Sequence, residues 1–399
     1  MSPDVVIIGG GIIGCSCAYY LSHEGVKVHL VERGPLGSGA SKAGECHICL
    51  WEQPEINLKL EKASKLLYEA LSEELPVDIE YKRTGSIAIV ENLAELHSFE
   101  QTVQLLQDGG LSCQLLSCDE IAELEPNLAR GIAGGAFFPE DAQVNSIIAT
   151  LALAQAAKGN GAVIQTFTEV TGIELSPSKA VVAVNTTAGR IPTKAVVNAA
   201  GAWSGAIGKM VGLDIPVIPR RGHIVVTEPV PSNAMNCKII LEAGYMQTLG
   251  AKSEVAIAAN IQQTRSGNIL LGSSRDFAGF DRSVNPDVIK AMVARNLRFM
   301  PRLSGIHAIR TYAGLRPYTP DLLPIIGEAD AVEGFYVATG HEGIGITMGP
   351  ITGKLISQMI TGQETGLPVE QLSLSRFSHS QNAGTAATDP PQRASQPTG

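Results

Sequence analysis

The stretch VVIIGGGIIGCSCAYYL, residues 5–21, sets the tightest limit on what this chain can fold into. Its opening run, Val5–Ile8, is continuously apolar and suits a strand buried on both faces. Gly9-x-Gly11-x-x-Gly14 follows at once and leads into a helix of small residues from Ile12 to about Ser22. VKVHLVE, residues 26–32, is the next strand. Strand, helix and strand with turns this tight predict a β-α-β unit, hence a parallel sheet with a right-handed crossover. Gly9 permits the turn, Gly11 lets backbone approach a pyrophosphate, and Gly14 lets helix and strand pack closely. The helix N-terminus offers free N–H groups and partial positive charge to phosphates. Glu32 ends the second strand, where a carboxylate accepts hydrogen bonds from ribose hydroxyls and disfavours a 2′-phosphate. The pattern predicts a bound dinucleotide other than NADP.

The next segment, RGPLGSGASKAGE at 33–45, is a glycine- and serine-rich loop where a nicotinamide enzyme would continue into another helix. An extended flavin nucleotide would run along such a loop. Glycine turns return at NAAGAW, residues 198–203, and at GHEGIGITMGP, residues 340–350. Three distant parts of the chain converging on one long ligand favour FAD.

A chain of 399 residues exceeds one ordinary domain, and 44% hydrophobic with 17% charged residues supplies a large core. A net charge of −9 without a basic stripe argues against nucleic acid. The first charge is Asp4 and glycines interrupt the apolar start, which argues against an export signal. No apolar segment is long enough for direct membrane insertion, so a soluble, cytoplasmic protein is expected. Of the seven cysteines, Cys46 and Cys49 form a C-x-x-C, but Cys113 and Cys118 do not supply a convincing second pair. Reduced thiols and no metal are the expectation.

Two lobes are expected, each discontinuous. Residues 1–50, 140–215 and 313–365 are assigned to a Rossmann-type domain with a parallel sheet. Residues 51–139 and 216–312 are assigned to a substrate domain, mainly an antiparallel sheet; strand signals alternate with turns across 216–312. Ser117 and Glu120 form a capping box that starts a short helix. The tail 378–399 lacks apolar periodicity and is expected to be disordered.

On VVIIGGGIIG, VERGPLGSGAS, EDAQVN, VVNAAGAWS, GLRPYTPDLLPIIG and ATGHEGIGI, the chain resembles the D-amino-acid-oxidase-like family of FAD enzymes, which includes glycine and sarcosine oxidases. The resemblance covers roughly residues 4–360. Within the family, IQQTRSGNILLGSSRDFAGFD is most similar to flavoprotein (β) subunits of bacterial heteromeric dehydrogenases acting on proline, D-hydroxyproline or opines, with hydrogen cyanide synthase a relative. It implies non-covalent FAD, oxidation of a C–N bond in a small amino or imino acid, and electrons leaving to partner subunits or a carrier. A second flavin, FMN, is a further implication. A glycine- or sarcosine-type oxidase using oxygen is the alternative enzyme, and a flavin-holding subunit without catalysis is the non-enzyme alternative. The expected cofactor set is Gly9, Gly11, Ile12, Ile13, Gly14, Glu32, Arg33, Ser38, Ala40, Ser41, Val170, Ala200, Gly201, Trp203, Gly314, Arg316, Gly343, Ile344, Gly345 and Ile346.

Oxidising an amino acid to an imino acid needs a hydride acceptor, a grip on the carboxylate and an unprotonated amine. Arg316 in GLRPYTPD is the expected carboxylate clamp, since guanidinium binds carboxylate bidentately and the resemblance places such an arginine in this motif. His341 either lends positive charge to reduced flavin or orients its loop. His47 is a lesser candidate; its neighbours depart from the tryptophan–histidine context of covalent flavin attachment. Tyr245 and Tyr318 are candidates to close the pocket or accept from the amine, and Gln263 and Thr264 to face the flavin. Arg220 and Arg221 are read as solvated charges near the lobe junction.

Overall fold

The computed structural model describes residues 2–50, 55–244 and 255–377. Among these, a six-stranded sheet runs in the order Ile325–Glu328, Phe335–Thr339, Ala195–Asn198, Val5–Ile8, Val28–Val31, Val163–Gln165. Every neighbouring pair is parallel except the first. Alternation along the first strand explains its unbroken apolar character. Val5 and Ile7 face one core with the helix Ile12–His23, while Val6 and Ile8 face another with Val170, Val181 and Val184. That second face is covered by a three-stranded antiparallel arm, Val170–Leu175, Val181–Thr186 and Gly189–Pro192. The helix Ile12–His23 is sandwiched between Ser146–Gly159 and Gly345–Thr361. This packing brings the N-terminus of the last helix beside the glycine turn.

The second sheet has eight strands among the described residues, ordered Ala308–Tyr318, Ile218–Pro229, Asn268–Asp276, Val255–Gln263, Ile239–Glu242, Ser86–Val90, Gly134–Phe138, Gln114–Leu116. Its pairs are antiparallel except where Ile240 and Leu241 lie beside Ile87 and Ala88. The segments 51–139 and 216–312 therefore share one sheet. Ala308–Tyr318 is a single strand that carries this sheet past residue 313 to the cavity described below.

Strand-and-turn reading of 216–312 leaves out the helix Pro286–Phe299. Its start is nevertheless written in the chain: Pro286 opens it, and the Asn285 side chain accepts from the N–H groups of Asp287 and Val288. Met292 and Phe299 on this helix are buried against Ile261 and Leu271 of the sheet. The capping box forms as expected, with Ser117 and Glu120 bonding each other's backbone N–H. Among the described residues no helix is long and apolar enough to cross a membrane. The tail 378–399 lies outside the described residues.

Candidate active site

A cavity of about 890 Å³ runs from the glycine turn to the antiparallel sheet. All of the expected cofactor residues line it except Gly14 and Ile344. Gly9 has φ of +113°, in the region that favours glycine, and a Cβ there would stand 2.5 Å from the Ala199 carbonyl oxygen. Gly14 acts from beneath: a Cβ there would lie 1.9 Å from the Gly9 carbonyl oxygen. The helix Ile12–His23 has Gly11 as its N-cap and no side-chain cap from that residue. Ser41 Oγ accepts from the Ile12 N–H at 2.9 Å, which ties the following loop to the helix. Glu32 is held at the strand end by N–H groups of Gly10 and Gly34, at 2.7 and 2.8 Å. Arg33 lies over the Trp203 ring, 3.9 Å from its centroid, bridging two parts of the cavity wall. At the far end the helix Gly345–Thr361 also begins without a side-chain cap, and Gly343, Gly345 and Ile346 face the cavity. Two helix N-termini whose own N-cap residues offer no side-chain cap, with close approaches that side chains would fill, fit an elongated nucleotide carrying negative charge.

The opposite wall is built by strands of the second sheet. Arg316 projects across the neighbouring strand through a notch at Gly222, where a Cβ would stand 2.0 Å from Arg316 Nη1. Nη1 donates to the Ser274 carbonyl at 2.9 Å on the strand beyond. Gly222→Ala is therefore expected to tilt the guanidinium and weaken carboxylate binding about tenfold while FAD stays bound, checked by titration of the flavin spectrum with a carboxylate ligand.

Arg220 and Arg275 are each 1% exposed, and both face Glu342. Arg275 Nε donates to Glu342 Oε1 at 3.2 Å, and Arg220 Nη1 stands 3.6 Å from the same oxygen. Burial pushes the Glu342 carboxyl up, but Arg275, Arg316 and Arg220 outweigh it and hold the group below its ordinary range. Arg221 pairs with Asp276 at 2.6 Å and Asp281 at 2.7 Å. The reading of Arg220 and Arg221 as solvated charges is thus corrected: the two point to opposite faces of the strand, both faces are covered, and carboxylates from other segments pair with them.

His341 is buried with Nε2 2.9 Å from Thr352 Oγ1, and burial pushes its ring down to about 3. Burial thus disfavours the charged ring, and the Thr352 contact ties His341 to the last helix. His47 does not line the cavity; burial pushes it down to about 3, opposed by a hydrogen bond with Gln262. Tyr318 packs edge-on to Phe277 at 5.1 Å, with Arg220 against both rings, and also lies off the cavity wall. Tyr245 lies outside the described residues. Gln263 and Thr264 line a separate cavity of about 650 Å³, where Gln263 donates to the Pro231 carbonyl and accepts from Lys238. The neighbouring Asn260 and Gln262 turn inward instead, towards Glu45 and His47. One residue along a strand reverses the face, which is why Gln263 lines the second cavity while Asn260 and Gln262 face the other way.

Residues that sequence reasoning passed over are Glu45 and Glu342 on the wall, with Asn260 and Arg275 bonded to those two carboxylates from behind it. Glu45 sits among small and apolar residues of the loop, and Glu342 interrupts the last glycine turn; an isolated carboxylate in such a loop was the available signal. Asn260 is positioned by Asn296, which accepts from the Asn260 N–H at 3.1 Å and donates to the Gly272 and Met292 carbonyls at 2.6 and 2.8 Å. Asn296→Ala leaves a buried N–H and a buried carbonyl unpaired, and is expected to cost about 2–4 kcal/mol of stability, read as an earlier thermal release of flavin. Among the described residues no group of three or more His, Cys, Asp or Glu is placed to hold a metal.

A glycine-cradled nucleotide groove and an arginine-bearing wall open into one cavity, the arrangement of a dinucleotide-dependent enzyme. The chain belongs to the DAO family of FAD dependent oxidoreductases, whose family model matches residues 4–359. It is 32% identical to the glycine oxidase of Geobacillus kaustophilus, covering 94% of this chain and 97% of that one. It is 29% identical to hydrogen cyanide synthase subunit HcnC of Pseudomonas aeruginosa, covering 94% and 96%. The crystal structure of L-proline dehydrogenase from P. horikoshii superposes with a TM-score of 0.86 at 28% identity, over 95% of this chain and 98% of that one. FAD is the cofactor class these matches define; a second flavin, FMN, finds no support in them.

Proposed function

We propose that the protein oxidises the α C–N bond of a small amino or imino acid and passes the electrons to a partner or carrier. The observation that carries this reading is the Arg316 guanidinium, seated by Gly222 and lining the same cavity as the glycine cradle. FAD, when bound, supplies the hydride acceptor. Arg316 binds the substrate carboxylate and so selects which C–H faces the cofactor. The uncapped N-terminus of Gly345–Thr361 favours negative charge at that end of the cavity. Glu342, neutralised by its arginines, keeps Arg220 and Arg275 in place behind the clamp.

Similarity to glycine oxidase and L-proline dehydrogenase supports small substrates, and similarity to a chain named as a synthase subunit supports a partner for the electrons. All seven cysteines are free, which supports a reducing compartment such as the cytoplasm. The test is an anaerobic spectral screen of purified protein against glycine, sarcosine, D-amino acids, L-proline, hydroxyproline isomers and opines. At least one is expected to bleach the flavin, with faster turnover on artificial acceptors than on oxygen. Peroxide formed in air at the rate of bleaching would transfer the protein to the oxidase class, and no bleaching by any of them would overturn the reading.

A further inference from the structure

Glu45 closes the flavin loop and lines the cavity beside Arg316. Its carboxylate is lodged in a second notch of the antiparallel sheet: a Cβ at Gly272 would lie 1.8 Å from Glu45 Oε1. Oε2 accepts from Asn260 Nδ2 at 2.5 Å, and Asn260 is the register partner of Gly272. Oε1 is buried without a hydrogen-bond partner. A loop residue and two strands more than two hundred residues away thus hold one carboxylate with an unused oxygen.

The other carboxylates on the cavity wall are differently employed. Glu32 is bound to two backbone N–H groups at the nucleotide end, and Glu342 faces Arg220 and Arg275. Glu169 follows Thr168, whose N–H bonds the Glu32 carbonyl, and so belongs to the nucleotide end as well. The groups acting on Glu45 are Arg316 from one strand, Arg275 and Asn260 from two others, and burial. Tyr312 and the Cys46 thiol also feel its charge. Burial dominates and pushes the carboxyl up to about 8, against Arg316, Arg275 and the Asn260 hydrogen bond. The group therefore holds its proton in most molecules at pH 7 and becomes free to accept one as pH rises through about 8.

Resting on the proposed amino-acid chemistry, we propose that Glu45 is a catalytic residue that takes the ammonium proton of a substrate whose carboxylate is held by Arg316. The step balances simply: one N–H bond of the ammonium breaks, one O–H bond forms on Glu45, and the nitrogen keeps its electron pair. The amine is then neutral, with its lone pair available as the α C–H is oxidised. The substrate class follows. It carries a carboxylate and a basic amine on one carbon, so that both charges meet the wall together, and analogues lacking a basic nitrogen bind without being oxidised.

The test uses the FAD-loaded enzyme, Glu45→Gln, and the substrate found in the spectral screen. In Glu45→Gln, flavin reduction at pH 7 is expected to fall about 100-fold and to recover about tenfold per pH unit as alkali deprotonates the free amine. Binding of 2-furoate, a carboxylate without a basic nitrogen, is expected to stay within about threefold of wild type, which shows an intact pocket. Glu45→Asp keeps the proton acceptor on a shorter arm and is expected to retain the wild-type pH dependence at a lower rate; if Glu45→Gln fails to hold FAD, an unchanged rate in Glu45→Asp overturns the proposal and a lowered one supports it. Wild-type rates and pH dependence in Glu45→Gln overturn it outright. The two readings fail separately. Undiminished 2-furoate binding by Arg316→Ala removes the carboxylate clamp itself, and with it the orientation Glu45 requires.

Discussion

Arg316→Ala is expected to leave a yellow protein that carboxylate substrates no longer reduce. The nucleotide cradle is built from backbone at Gly9–Gly14 and from Ser41 and Glu32, none of which bonds Arg316, so FAD binding should persist. The clamp is a different matter. Removing one partner of a buried, charge-assisted contact costs about 2–5 kcal/mol, or roughly 30- to 5,000-fold in the reduction rate at limiting substrate. The loss also reaches its neighbours, since Arg316 favours the ionised forms of Glu45 and Glu342. Both carboxyls should titrate higher in the variant, shifting the rise of any residual activity to more alkaline pH. Arg316→Lys keeps the charge but loses the planar fork, and should fall between the two. Stopped-flow reduction under anaerobic conditions measures all three; a normal rate in Arg316→Ala would remove the clamp.

Gly14→Ala is expected to yield protein that binds FAD at least 100-fold more weakly. The added methyl would stand 1.9 Å from the Gly9 carbonyl oxygen, well inside contact distance. The turn cannot retreat, because Gly9 itself lies against the Ala199 carbonyl at a positive φ that other residues resist. Either helix and strand separate, at about 1–3 kcal/mol of stability, or the turn closes over the phosphate position. Fluorescence titration of apoprotein with FAD reads the effect. Gly159→Ala, where a methyl meets nothing within 4 Å, is the matched control and should bind normally.

How much of this was legible depended on the range of the forces involved. The β-α-β unit was readable because its signals are local: an apolar run, three glycines at fixed offsets and an acidic residue one strand later. The same locality made the capping box at Ser117 readable. The helix Pro286–Phe299 was missed although Asn285 and Pro286 announce it, because apolar residues flanking it suggested strands. The inner wall was hidden for another reason. Which of Gln262 and Gln263 faces Glu45's side of the sheet depends on register, and a shift of one residue exchanges them.

By itself the chain determined that it would cradle a dinucleotide, since glycine spacing acts within one turn and needs no distant partner. Only the tertiary structure decided that Arg220 and Arg221 are buried, that burial disfavours a charged His341, and that Glu45 meets Asn260. Those outcomes come from desolvation and Coulomb interaction between groups far apart in sequence, and both depend on three-dimensional distance, which linear order does not carry.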